Sequence, residues 1–157
     1  MDFSSSKIYA HPAAAIFDIM ADFEGLASTF PQVSAYEETG QDEVRITINL
    51  DFGKFSGSYF ADFHIHDLTR PHSIKIDGKH KSTIGGMKLY MLADIIPITG
   101  TENELTVSGK FERSGLVSWA SKKIVKTGMD FALKYMHELV EEKLNRLAMF
   151  NSFSEEE

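Results

Sequence analysis

The 157-residue sequence contains no cysteine. Disulfide frameworks, thiol nucleophiles and cysteine-ligated metal or iron–sulfur centres are therefore excluded. Cationic side chains are in deficit: 16 Lys and Arg stand against 23 Asp and Glu, a formal net charge of −7. A surface for nucleic acid needs a clustered cationic excess to neutralise phosphates, so no nucleic-acid partner is expected. No apolar run approaches the roughly 18 residues of a membrane-spanning helix, and residues 1–12 lack the basic-then-apolar pattern of a leader. The location expected from these absences is cytoplasmic, with room for peripheral contact with a membrane. A phosphate-cradling glycine loop is missing as well, because Gly85-Gly86 precedes a strand and does not open a helix.

What is present is a sharply divided hydrophobic pattern. Residues 5–10 alternate weakly, and His11-Pro12 suits the start of a helix in which Ala15, Ile16, Ile19 and Met20 share a side. A second short helix over residues 23–30 stops at Pro31. The strongest alternation follows. Val44, Ile46, Ile48, Leu50 and Phe52 alternate with polar residues, and after Gly53-Lys54 the residues Phe55, Gly57, Tyr59, Ala61, Phe63 and Ile65 do the same, which reads as a hairpin with one dry face. Ile74 and Ile76, then Met87, Leu89, Met91 and Ala93, then Leu105, Val107, Gly109 and Phe111 mark further strands. From Leu116 onward Val117, Ile124, Val125, Gly128, Ala132, Met136, Val140, Leu144 and Leu147 recur at helical spacing, opposite Lys122, Lys126, Asp130, Lys134 and Glu141.

This order predicts an α+β chain: about six or seven strands in a curved antiparallel sheet, two short helices after the first strand, and a long terminal helix laid across the sheet. The length bounds a single domain, residues 1–150, followed by an acidic tail over residues 151–157 that frays.

The inward face of the expected sheet mixes small residues (Gly57, Ala61, Gly78, Ala93, Gly109) with large ones (Tyr59, Phe63, Met87, Leu89, Met91, Phe111). Small residues leave space that either close approach of the helix, at Gly128 and Ala132, or a ligand must fill. Met20, Met87, Met91, Met129 and Met136 would give such a space adaptable, polarizable walls. Tyr59 and Tyr135 could present hydroxyls inside it.

Candidate chemistry is sparse. Asp62, His64 and His66 share one strand face, a spacing that could ligate a transition metal, but that face is the solvent side and no metal is assigned. His80 has the parity of Ile74, Ile76 and Gly78 and would sit at the cavity rim, beside a turn expected at residues 79–82, where it could hold a ligand carbonyl or act as a general base. His11, His72 and His137 fall beside element ends or on the polar helix face and receive no role. Paired carboxylates such as Glu37-Glu38 and Glu141-Glu142 read as solvated charge. Trp119 projects away from the helix stripe toward Lys122, Lys123 and Lys126, an aromatic-plus-basic surface of the kind that touches a membrane or a protein partner transiently.

The chain resembles the helix-grip superfamily of START-like and polyketide-cyclase-like (SRPBCC) proteins over nearly its whole length. Within it, the chain is most similar to the CoxG family of carbon monoxide dehydrogenase subunits, on the first strand, the helix opened by His11-Pro12 and running through Ile16-Phe17-Asp18-Ile19-Met20, the Phe30-Pro31-Gln32-Val33 corner, the Gly53 hairpin, and residues 106–115 leading to the final helix. At the corner that family favours Pro-Gly where this chain has Pro31-Gln32. The resemblance implies an apolar cavity that takes a hydrophobic small molecule or lipid, in an accessory to a redox enzyme at a membrane. It carries over no catalytic residue and calls for no cofactor. The ligand-binding residues expected on this basis are Ile48, Tyr59, Phe63, His80, Met87, Leu89, Met91, Val107, Phe111, Gly128, Ala132, Tyr135 and Met136. A cyclase or aromatase with a rim proton carrier, and an interaction module with a filled core acting through Trp119, are the two other readings.

Overall fold

The computed structural model describes residues 1–51, 56–82, 85–115 and 122–155. In chain order the elements are β1 (Asp2–Tyr9), α1 (Ala13–Ala21), α2 (Phe23–Ala27), β2 (Val33–Gly40), β3 (Glu43–Leu50), β4 (Gly57–Thr69), β5 (Ser73–Ser82), β6 (Gly85–Pro97), β7 (Asn103–Gly115) and α3 (Lys122–Glu155). The strands form one antiparallel seven-stranded sheet in the order β1-β7-β6-β5-β4-β3-β2. The expected α+β helix-grip architecture is what the chain adopts: a curved sheet, two short helices after β1, and a long terminal helix.

The two short helices are fixed by specific contacts. Pro12 supplies the extended residue before α1, whose Ile16, Phe17, Ile19 and Met20 are buried. Asp22 then caps α2 by accepting the Gly25 N–H at 3.1 Å. Arg70, in the β4–β5 turn, donates two hydrogen bonds of 2.9 Å to the Asp18 carboxylate and so ties α1 to the sheet.

The core is concentrated on one side of the domain. Ile16 and Met20 of α1, Ile74 and Ile76 of β5, Leu105 and Val107 of β7, and Val140 and Leu144 of α3 form its fully buried centre. A smaller cluster of Ala27, Val44 and Ile46 joins it through Phe23 and Phe63. Along α3 the buried side chains run from Leu133 to Leu144, whereas none of residues 123–132 is buried. The middle of α3 is packed, and the turns before it are not buried.

Several local expectations are corrected. Ile124 and Leu147, assigned to the buried helical stripe, are 42% and 47% exposed, because the packed part of α3 reaches neither residue. The turn expected at residues 79–82 is strand: β5 stays in register through Ser82, opposite Gly85. β2 has no counterpart among the strands singled out above; it is an edge strand whose residues after Val33 are all exposed, so no apolar alternation marks it. The Gly53 turn, Val117 and Trp119 lie outside the described residues. α3 itself runs to Glu155.

Two of the small residues of the inner face, Gly78 and Gly109, do not open space as expected. An added Cβ at Gly78 would meet the Phe63 ring at 2.7 Å, and one at Gly109 would meet the Tyr90 carbonyl oxygen at 1.9 Å and the Phe3 ring at 2.8 Å. Gly78 and Gly109 are glycine because a ring or a neighbouring strand already occupies the place of a side chain. Gly128 of α3 is the reverse case, with nothing within 4 Å of an added Cβ. Gly109→Ala should therefore lower stability by about 1–3 kcal/mol, while Gly128→Ala should be neutral or stabilising by up to about 1 kcal/mol through helix propensity. Urea denaturation of the two variants beside the wild type checks both.

Candidate functional site

The space left under the first turns of α3 is an apolar cavity of about 400 Å³, within the size range of small-molecule sites. Four parts of the chain build it. Met20 and the α2 residues Phe23, Leu26 and Ala27 form one wall, continued by Phe30, Gln32 and Val33 of the corner that follows. The inner face of the sheet contributes Ile46, Ile48 and Leu50 of β3, Phe63 of β4, and Leu89 and Met91 of β6. The roof is α3, through Gly128, Met129, Phe131, Ala132, Leu133 and Met136. Phe131 is 59% and Leu50 37% exposed, so the mouth opens between α3 and the end of β3. Among the described residues of this lining none is titratable, and Gln32 alone carries a polar side chain.

Of the residues expected to face a ligand, Ile48, Phe63, Leu89, Met91, Gly128, Ala132 and Met136 are in the wall. Tyr59, His80, Met87, Val107, Phe111 and Tyr135 are not. Val107 is fully buried in the core. Tyr135 braces the wall from behind, with its ring 4.9 Å from Phe30 and 6.1 Å from Phe131. Met87 lies one inward step beyond Leu89, toward the Gly85 end of β6. His80 and Tyr59 lie beyond Gly78 and Phe63 on their strands and meet each other edge to face at 5.4 Å. His80 Nδ1 donates to the Phe60 carbonyl at 2.6 Å, which leaves Nε2 buried and unpartnered beyond the cavity. Phe111 is opposite Leu89 in register but outside the wall.

The α2–corner wall is the part missed by the sequence reading, although Phe23, Leu26, Ala27 and Phe30 follow an i, i+3, i+4, i+7 spacing that marks one helical face. On the opposite face of the sheet, Asp62 does not join His64 and His66. It accepts hydrogen bonds of 2.8 and 3.2 Å from Arg45, which hold its carboxyl below the usual range, while His66 lies 3.0 Å from Asp77 and stacks on His64. No group of three or more metal-ligating side chains occurs among the described residues. Lys123 and Lys126 are exposed on the first half of α3.

One buried polar pair lies outside the cavity. His137, which the sequence reading put on the polar face of the helix, is 4% exposed, because residue 137 falls within the same helical arc as Leu133, Met136 and Val140. The Tyr9 hydroxyl sits 2.7 Å from His137 Nδ1 and donates to the His137 carbonyl at 3.1 Å. The imidazole also faces the Ser5 backbone, whose hydrogen bond favours the protonated ring. Burial, and then the charge of Lys7, push the His137 pKa below its ordinary value. Burial and then Glu141 push the Tyr9 hydroxyl up, so it stays protonated. Lys7 pairs with Glu141 one turn further along α3, and His11 Nε2 lies 3.2 Å from the Asn145 side-chain oxygen. These contacts fasten the packed part of α3 to β1 and the start of α1.

A sheet gripping one long helix above an apolar cavity is the helix-grip fold. Solved structures share it. A conserved protein from Geobacillus kaustophilus superposes with a TM-score of 0.83 at 14% identity, over 93% of this chain and 96% of that one. A START superfamily protein from Mycobacterium smegmatis gives 0.66 at 16% identity, over 93% and 98%. A di-domain ARO/CYC from the steffimycin biosynthetic pathway gives 0.66 at 11% identity, over 94% of this chain and 51% of that one. The chain belongs to the CoxG family of carbon monoxide dehydrogenase subunits, whose model matches residues 7–145. No curated protein matches it in sequence. Among the described residues no helix is long and apolar enough to cross a membrane.

The His137 environment makes stability depend on pH in a defined direction. The folded state disfavours protonated His137, so below the ordinary histidine pKa of 6.5 the unfolded chain binds a proton that the folded chain refuses. Stability is therefore full above about pH 6.5 and falls as pH drops below it, by at most about 1.4 kcal/mol per pH unit for one proton. Thermal unfolding between pH 8 and pH 5 should show this fall in the wild type and a shallower one in His137→Gln; equal slopes would remove His137 as the cause.

Proposed function

We propose that the protein binds an apolar small molecule or lipid, such as a quinone or a hydrophobic cofactor, in the cavity under α3 and carries it as an accessory to a membrane-associated redox enzyme. The observation that carries this reading is the lining itself: about 400 Å³ walled by aliphatic, aromatic and methionine side chains. Affinity in such a site comes from apolar area removed from water, at roughly 25 cal/mol per Å², and four methionines let the wall adapt to ligand shape. The family match supports the accessory role, since its description names a subunit of a redox enzyme.

Likeness to the ARO/CYC keeps an enzymatic reading in view. A cyclase needs a group that moves protons within reach of the bound chain. Among the described residues the imidazoles of His80 and His137 are both outside the wall, and His80 is committed through Nδ1 to a backbone carbonyl. That arrangement favours binding over catalysis.

Native mass spectrometry of the purified protein, with organic extraction of whatever it releases, is the direct test. A stoichiometric apolar compound is the expected result. Ala132→Phe is the matching variant: with room beneath α3, uptake of that compound should be lost while unfolding shifts by less than about 1 kcal/mol. A protein that is empty, takes up neither quinones nor fatty acids nor polyaromatics, and is destabilised by Ala132→Phe through overpacking sinks the carrier reading.

A further inference from the structure

Gln32 stands alone in the cavity wall. Of the residues that build it, no other described one has an oxygen or an N–H on its side chain, and none is charged. Gln32 is half-buried, at the mouth side of the cavity between Phe30 and Val33, and the chain around it is held by its backbone. Its carbonyl accepts the Asn49 N–H at 2.7 Å, and the Val33 N–H donates to the Phe30 carbonyl at 3.0 Å. The corner is thus fixed from below by β3 without using the side-chain amide. Nothing in that scaffold requires glutamine, whereas an aliphatic residue would match every neighbour in the wall.

Resting on the carrier reading above, we infer that Gln32 is the specificity-determining residue of the cavity, and that it selects an apolar molecule bearing one uncharged hydrogen-bonding group, a hydroxyl or carbonyl, held at the mouth. A primary amide both donates and accepts, so it pairs with either group. A hydrocarbon leaves the amide unanswered. A carboxylate fares worse than a hydroxyl of the same size, because its charge would leave water against a wall with no cation to receive it. The ligand therefore enters body first, with its neutral head against Gln32 and its apolar part beneath Gly128 and Ala132.

Three probes of one shape separate these cases: naphthalene, 2-naphthol and 2-naphthoate, titrated into the full-length protein at pH 7.5 against bound Nile red, with fluorescence as the readout. The wild type should prefer 2-naphthol to naphthalene by about fivefold, the size expected for one net hydrogen bond, and should bind 2-naphthoate more weakly than 2-naphthol. Gln32→Met, which keeps length and removes the amide, should abolish the preference, so that 2-naphthol binds no more tightly than naphthalene. Equal wild-type binding of naphthalene and 2-naphthol, or tightest binding of 2-naphthoate, overturns the inference without any variant. A preference for 2-naphthol that survives in Gln32→Met overturns the assignment to Gln32. Failure of the wild type to take up Nile red or any of the three probes refutes the carrier reading itself, a result distinct from the other two.

Discussion

The packing of the middle of α3 against α1 and β1 is the contact on which the rest of the molecule depends. Leu133, Met136, Leu139, Val140 and Leu144 are each less than a tenth exposed, and burying five such side chains is worth on the order of 10 kcal/mol as an upper estimate. That is comparable to the whole net stability of a domain this size. The first turns of α3 have weaker anchorage: none of residues 123–132 is buried, and Met129 packs against the core only in part.

This division sets the energetics of the cavity. A sealed, dry hole of about 400 Å³ would cost about 10 kcal/mol at the penalty found for core truncations, as much as the anchoring part of α3 contributes. The fold tolerates the space because it is open at Phe131 and Leu50, and because its wall is made of side chains supported from outside. Phe30 and Phe131 are braced by Tyr135, and Phe63 lies over Gly78, where a Cβ would displace it. A ligand that fills the space recovers dispersion contacts that the wall otherwise lacks, which couples occupancy to stability.

The elements that bury one face were legible in the sequence, because burial imposes a period. The β3–β4 hairpin reads directly from Val44, Ile46 and Ile48 against Phe63, Ala61 and Tyr59, which are paired in register. β2 is nearly all exposed, so no period is imposed and none is visible. The helical stripe was readable through Met136, Val140 and Leu144, but Ile124 and Leu147 show that a pattern does not state where its partner surface stops. About half of the expected cavity residues are in the wall. Most of the others share the correct strand face but not the correct distance along it: parity fixes the side of a sheet and says nothing about where along its length a space opens. His137 was assigned to the polar helix face, although it lies four residues from Leu133, three from Val140 and next to Met136 on the arc that packs.

The placement of polar groups follows from the same division of α3. Where the helix is packed, hydrogen bonds and charges can be satisfied at fixed distances, and there the structure puts Tyr9 with His137, Lys7 with Glu141, and His11 with Asn145. Where the helix spans a space, an unpaired charge would face a low-dielectric wall at a cost of several kcal/mol, and among the described lining residues there is none. A cavity built on those terms recognises its occupant by shape and apolar area. Any discrimination beyond shape has to come from a group that can reach water when the site is open and the ligand when it is filled, and the half-buried position of Gln32 at the mouth meets both conditions.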